Sequence, residues 1–157
     1  MSARRRAADA DATRALGAAL ARAVIAAQPP DAPLLITLTG ELGAGKTTLV
    51  AGLLAAWGHE GPVRSPTYTL IEPYRLAGRD VYHCDLYRLR HPDELDDLGL
   101  RELATAGSVL LVEWPERAAG RLGPHDLTVH LEYADEGGRH AEFVAETSAG
   151  RAVLASI

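Results

Sequence analysis

Eight consecutive residues of this chain combine types and spacing that suit one kind of chemistry, the holding of a polyphosphate. Gly40-Glu41-Leu42-Gly43-Ala44-Gly45-Lys46-Thr47 fits the pattern G-x-x-x-x-G-K-[ST]. An apolar β-prone run precedes it and a helical pattern follows, as a phosphate-cradling loop requires. Glycines let the backbone fold back so that successive N–H groups converge, and the start of the next helix adds a positive field where an anion arrives. In such a loop Lys46 reaches the β- and γ-phosphates of ATP, the Thr47 hydroxyl ligates magnesium, and Thr48 adjoins the α-phosphate. Of the 16 Lys and Arg residues, all but Lys46 are arginine. A compact ammonium on a flexible stem suits the crowded space beside phosphates better than a planar guanidinium does. The bland alternative is a tight strand-to-helix turn with incidental glycines, and the matching flanks weigh against it.

A magnesium ion held by one hydroxyl and phosphate oxygens calls for a carboxylate from a neighbouring strand. Glu113, directly after the apolar run SVLLV at 108–112, meets that demand; acids at strand ends are also commonly just solvated. Trp114 follows, placed either to stack on a nucleotide or to pack. Asp85, within His83-Cys84-Asp85-Leu86-Tyr87-Arg88, is a second strand-end acid. It could orient an attacking water or bind magnesium through water; equally, it could cap a turn or pair with Arg88. Ser65 and Thr67 flank Pro66 and offer two hydroxyls on a proline-fixed loop, a candidate γ-phosphate sensor. With one cysteine and no matching histidine spacing, His83 and Cys84 read as satisfied core residues rather than metal ligands.

These residues need elements to position them. Residues 9–27 place Leu16, Leu20, Val24 and Ala27 at helical spacing behind Asp9 and Asp11, ahead of Pro29 and Pro30, which predicts an amphipathic helix. The run LLITLT at 34–39 reads as a strand buried on both faces of a parallel sheet. Residues 47–57 read as a helix closed by Gly58. Stretches 68–74 and 81–84 form a hairpin about Gly78, and 126–133 and 140–146 another about Gly137-Gly138. Between them the spacing predicts one helix over 92–105, opened by Pro92 and a run of acids, and a strand over 108–112. The expected architecture is a single α/β domain over 1–157, three-layered, with a mostly parallel central sheet extended by antiparallel strands.

Composition narrows the function classes. A formal net charge of −5 argues against a broad electrostatic grip on nucleic acid, so DNA is excluded as a partner and any RNA is expected to act through another protein. Arg4, Arg5 and Arg6 form a basic run that reads as part of a loose, solvated terminus over 1–8. The lone Cys84 allows no internal disulfide. No apolar run nears the roughly 18 residues of a membrane span, so the chain is expected in the cytoplasm, away from membranes.

Four segments in series, GELGAGKTTL at 40–49, SPTYTLIEPY at 65–74, HCDLYRL at 83–89 and LVEWPE at 111–116, resemble the TsaE family in words, order and spacing. The resemblance runs from the helix bearing Thr13 to the last hairpin. It implies a small bacterial P-loop ATPase, using ATP and magnesium, required for making threonylcarbamoyladenosine in tRNA together with the partner subunits TsaD and TsaB. By resemblance, Lys46 and Thr47 contact phosphate and magnesium, Glu113 is the metal-side acid, and Asp85 is a carboxylate near the γ-phosphate. Ser65 to Thr67 correspond to a switch-like segment, and Thr13 lies near the adenine. Cys84 stands where a bulky apolar residue is usual. Two other readings of the same residues are a small-molecule kinase, with Asp85 as base for a substrate hydroxyl, and an interaction module switched by nucleotide. No arginine finger is assignable, which implies slow turnover without partners.

Overall fold

A computed structural model describes residues 1–29, 31–66 and 69–157. Seven strands form one mixed sheet: β1 (Ser2–Ala7), β2 (Leu34–Thr39), β3 (Ile71–Leu76), β4 (Arg79–Asp85), β5 (Val109–Glu113), β6 (Leu127–Tyr133) and β7 (Arg139–Ala145). Their order across the sheet is β1-β7-β6-β2-β5-β4-β3. The inner four, β6, β2, β5 and β4, run parallel, while β7, β1 and β3 add antiparallel strands at the flanks. This is the α/β architecture expected from the sequence.

Alternation along the inner strands decides which residues reach the site. Leu34, Ile36 and Leu38 of β2 and Val109 and Leu111 of β5 belong to one core cluster, while Leu110 and Val112 join a second cluster on the opposite face. The first face is covered by α1 (Ala10–Ala27) and α2 (Lys46–Ala56). Because side chains alternate with period two, Glu113 falls in step with Val109 and Leu111, on the α2 side. In β4 the same count puts Val81, His83 and Asp85 there, with Cys84 turned to the second cluster.

The two helices pack with backbones nearly touching. A Cβ added at Gly17 would lie 2.0 Å from the Leu49 carbonyl oxygen, and one at Gly52 would lie 2.1 Å from that of Arg14. Asp9 caps α1 by accepting from the Ala12 N–H at 2.8 Å, as its side chain predicts. At the other end of this seam the Trp57 indole donates to the Ala21 carbonyl at 3.1 Å. Among the described residues, no helix is long and apolar enough to cross a membrane.

Two expectations need correction, and one element is additional to them. The N-terminus is not loose: Ser2–Ala7 pairs along β7, with Arg4 bonded to Glu132, Arg6 to Glu136, and Ala7 fully buried. Ala3 and Ala7 are its more buried residues while the three arginines between them stay exposed, and charged side chains of this kind are what an edge strand carries. The helix expected over 92–105 is two separate turns, α3 (Glu94–Asp97) and α4 (Leu100–Leu103). Gly99 between them takes a left-handed φ of 68°, which an α-helix cannot continue through. A last helix, α5 (Ser148–Ala155), has no counterpart in the reading of the sequence; it is capped by Thr147 and buries Val153 and Leu154 in the first core. The first hairpin is as expected in kind, with Ala77 and Gly78 both at positive φ (52° and 73°), the geometry of a type I′ turn. Thr67 and Tyr68 lie outside the described residues.

Candidate functional site

The glycine-rich segment connects β2 to α2, as its pattern demands. Gly40, Gly43 and Gly45 have φ of 138°, 80° and 107°, values open to glycine at little cost and strained for other residues. Within the loop the Ala44 N–H donates to the Glu41 carbonyl at 3.0 Å. Leu42 at the crest is 69% exposed, and Lys46 opens α2. A cavity of about 420 Å³ lies above, lined by Gly43, Lys46, Thr47, Asp85, Glu113 and Trp114, with Ser65 and Thr48 on its wall.

Lys46 is not a free ammonium here. Its Nζ donates to the Gly40 and Glu41 carbonyls at 2.6 and 3.0 Å and stands 4.3 Å from the centre of the Trp114 ring. The side chain is buried, and burial holds its pKa below the ordinary lysine value against the opposing pull of Glu113, Asp85 and Glu116. Trp114 packs against both the Lys46 ammonium and the Tyr87 ring, whose centre is 4.9 Å away. Its φ of 57° is a left-handed conformation rare for a bulky residue.

Thr47 and the two acids meet as the strand register dictates. Asp85 and Glu113 are direct partners across β4 and β5. The Thr47 hydroxyl lies 3.1 and 3.0 Å from the two Glu113 carboxylate oxygens and 2.6 Å from the Ser65 hydroxyl. Asp85 accepts from the Tyr87 N–H at 2.9 Å, which is the turn-capping reading, and also faces the cavity. Burial raises the Asp85 pKa, with the Glu113 charge adding to the rise and bonds from Tyr87 and Ser65 opposing it.

His83 corrects the reading of a satisfied core residue. It is fully buried, but its Nε2 lies 2.5 Å from Glu113 Oε2, and its Nδ1 has no hydrogen-bond partner among the described residues. With the Glu113 oxygen accepting, the imidazole donates through Nε2, which leaves Nδ1 unmatched. The sequence carried a signal for this contact, since His83 and Asp85 are two apart on a strand and must share a face, but that inference needs β4 and β5 to be neighbours.

Glu113 accepts from His83 Nε2 and the Thr47 hydroxyl, and Asp85 from the Tyr87 N–H and the Ser65 hydroxyl. The oxygens of Thr47, Ser65, Asp85 and Glu113 meet at one cavity, a donor set that suits a hard divalent cation such as magnesium. Residues Thr47 and Glu113 could hold it, and no sulfur or imidazole nitrogen need take part.

The structure brings Gly40, Glu41, Leu42, Gly43, Ala44, Gly45, Lys46, Thr47, Thr48, Ser65, Asp85, Glu113 and Trp114 into one region. Thr13 is separate but adjacent. It is buried in α1 with its hydroxyl donating to the Asp9 carbonyl, and lines a second hollow of about 190 Å³ with Gly43, Gly45, Thr48 and Arg139. Sequence reasoning missed Tyr133 and Arg139, which donate to the loop's carbonyls: Tyr133 to Leu42 at 3.2 Å, Arg139 to Gly43 at 3.2 Å and Ala44 at 3.0 Å. Nothing local in the sequence marks them, because they come from the distant β6–β7 hairpin.

Comparison with known proteins bears on the family and the fold. The family model for "Threonylcarbamoyl adenosine biosynthesis protein TsaE" matches residues 7–141. The chain is similar to the tRNA threonylcarbamoyladenosine biosynthesis protein TsaE of Haemophilus influenzae, 44% identical over 78% of this chain and 77% of that one. The TsaE of Bacillus subtilis is 38% identical over 76% of this chain and 72% of that one. The crystal structure of Bacillus subtilis YdiB superposes with a TM-score of 0.74 and 25% identity, covering 99% of this chain and 93% of the other.

Proposed function

The chain belongs to the TsaE family, and from that membership and the geometry above we propose that it binds and hydrolyses ATP as a component of tRNA threonylcarbamoyladenosine biosynthesis, acting with TsaD and TsaB in the cytoplasm. The relatives' names carry the pathway. The observation that carries the ATPase reading is the convergence of Lys46, Thr47, Asp85 and Glu113 on one cavity beside a glycine loop.

Each residue has a task that follows from where it stands. Lys46, parked on the Gly40 and Glu41 carbonyls, exchanges those neutral acceptors for charged phosphate oxygens, which make stronger hydrogen bonds with an ammonium. The N–H groups at the start of α2 receive the phosphates. Thr47 and Glu113 would hold a magnesium ion, which when bound neutralises charge across the phosphate oxygens. Asp85, the register partner of Glu113 at the cavity and raised in pKa by burial, is placed to accept from and orient a water. Thr13 and the hollow beside it supply room for the nucleoside.

The test is phosphate release from ATP by the purified chain, alone and with TsaB and TsaD, with and without magnesium. The expected result is slow magnesium-dependent release, faster with the partners, and no phosphorylated small-molecule acceptor. Equal rates with and without partners would refute the coupling, and a phosphorylated acceptor would indicate a kinase.

A further inference from the structure

A phosphate-binding loop works through backbone N–H groups; here the loop ties itself through the Ala44 N–H to the Glu41 carbonyl and through Lys46 to the Gly40 and Glu41 carbonyls, while the carbonyls that follow Glu41 are held from outside. Across a trans peptide the carbonyl of one residue and the N–H of the next point in opposite directions. Fixing the carbonyls of Leu42, Gly43 and Ala44 therefore fixes the N–H groups of Gly43, Ala44 and Gly45. In this chain all three carbonyls are held by one face of the β6–β7 hairpin. The Tyr133 hydroxyl donates to Leu42 at 3.2 Å; Arg139 donates through Nη2 to Gly43 at 3.2 Å and through Nε to Ala44 at 3.0 Å.

The two side chains also brace each other. Tyr133 and Arg139 are direct partners across the hairpin, and the Arg139 guanidinium stacks 4.2 Å from the centre of the Tyr133 ring, a cation–π contact. The remaining guanidinium nitrogen, Nη1, donates to the Gly138 carbonyl at 2.9 Å, so the fork is anchored in its own hairpin. Close fit adds to the hydrogen bonds. A Cβ at Gly43 would lie 2.9 Å from the Tyr133 hydroxyl, and one at Gly40 would lie 2.3 Å from the Leu131 carbonyl oxygen.

We propose that Arg139 and Tyr133 are positioning residues for the phosphate loop, turning three consecutive carbonyls outward so that the loop is shaped for polyphosphate before it binds. The inference rests on the reading of Gly40 to Thr47 as a triphosphate site. Its consequence is that binding avoids ordering the loop, the part of the cost that preorganisation removes. Arg139 also lines the hollow beside Thr13, but in this role it acts through backbone geometry rather than through its charge or a nucleoside contact, and a ligand without a nucleoside separates the two.

The experiment is displacement of a fluorescent ATP analogue by ATP and by inorganic tripolyphosphate, with melting of the ligand-free proteins measured alongside. The proteins are the wild type and the variants Arg139→Met, Arg139→Lys and Tyr133→Phe. Arg139→Met should weaken ATP and tripolyphosphate by the same factor, about tenfold. Arg139→Lys keeps the charge but lacks the fork and should behave like Arg139→Met. Tyr133→Phe, which removes the hydroxyl of a half-exposed residue, should cost both ligands about two- to fivefold, with ligand-free melting unmoved. Wild-type affinity in Arg139→Lys would overturn the proposal in favour of charge, and loss for ATP alone would overturn it in favour of a nucleoside contact. Unchanged affinity in Tyr133→Phe would overturn it even if an Arg139 variant failed to fold. A wild type that bound neither ligand would instead remove the triphosphate reading itself.

Discussion

Replacing His83 separates two contributions that a buried hydrogen bond makes, one to stability and one to the site. The imidazole Nε2 is 2.5 Å from Glu113 Oε2, and both residues are almost wholly buried, at 0% and 2% exposure. In His83→Leu the carboxylate loses a donor whose bond to a charged group is worth about 1.5–3 kcal/mol. The unpartnered Nδ1 disappears in the same change, and the apolar side chain gains burial, so roughly half of that loss is returned. A net cost of about 1 kcal/mol corresponds to a fall in Tm of about 2–4 °C for a chain of this length. The effect on Glu113 should be larger than the effect on folding. Freed from His83, the carboxylate keeps, among the described residues, the Thr47 hydroxyl as its hydrogen-bond partner, and losing the partner that orients a metal-side ligand typically costs about 10–100-fold in metal affinity. The assay is a magnesium titration of fluorescent-nucleotide binding, with thermal melting in parallel. His83→Leu should need at least about tenfold more magnesium for the same nucleotide affinity. His83→Gln, whose amide N–H can reach the place of Nε2, should recover most of it. If His83→Leu bound nucleotide with wild-type magnesium dependence, the reasoning from the His83–Glu113 contact to the site would be refuted.

Three further outcomes follow from the same contacts. Gly52→Ala should lower stability by about 1–2 kcal/mol, because overpacking at the Arg14 carbonyl outweighs the gain in helix propensity; thermal melting should register a fall of about 2–8 °C. Asp85→Asn should melt higher than wild type at neutral pH. Folded Asp85 holds its proton more tightly than the unfolded chain does, so wild-type stability falls as pH rises through that window, and the variant's advantage should shrink as pH is lowered back through it. Lys46→Met should abolish nucleotide binding yet raise the melting temperature of the ligand-free protein. Because burial depresses the Lys46 pKa, that advantage should be present at neutral pH and fade as pH rises through the depressed value, where wild-type Lys46 sheds its proton.

The parts of this architecture that the sequence made legible are those whose cause is local. The glycine pattern, the apolar run before it and Gly58 after α2 each act on their own neighbours, so β2, the loop and α2 were readable together. Asp9 announced α1 for the same reason. What was not legible depends on who lies beside whom. Ser2–Ala7 looks like a loose basic tail until β7 is there to pair with it, and Arg4 and Arg6 then find Glu132 and Glu136. The acids at 93–97 suit one long helix, but Gly99 ends it with a left-handed residue. At the site, strand-end position pointed to Glu113 and Asp85, whereas His83, Tyr133 and Arg139 act through tertiary neighbours some 30 to 96 residues away.

The central claim is that one cavity holds a triphosphate on the loop amides with a cation between Thr47 and Glu113. Its most direct test is a crystal structure with manganese and a non-hydrolysable ATP analogue, since manganese replaces magnesium and is located by its anomalous signal. The expected result is phosphate oxygens within hydrogen-bond distance of the amides from Gly43 to Thr48, Lys46 withdrawn from the Gly40 and Glu41 carbonyls, and the anomalous peak beside Thr47 Oγ1 on the Glu113 side. Analogue bound elsewhere, or a manganese peak remote from both Thr47 and Glu113, would contradict the account.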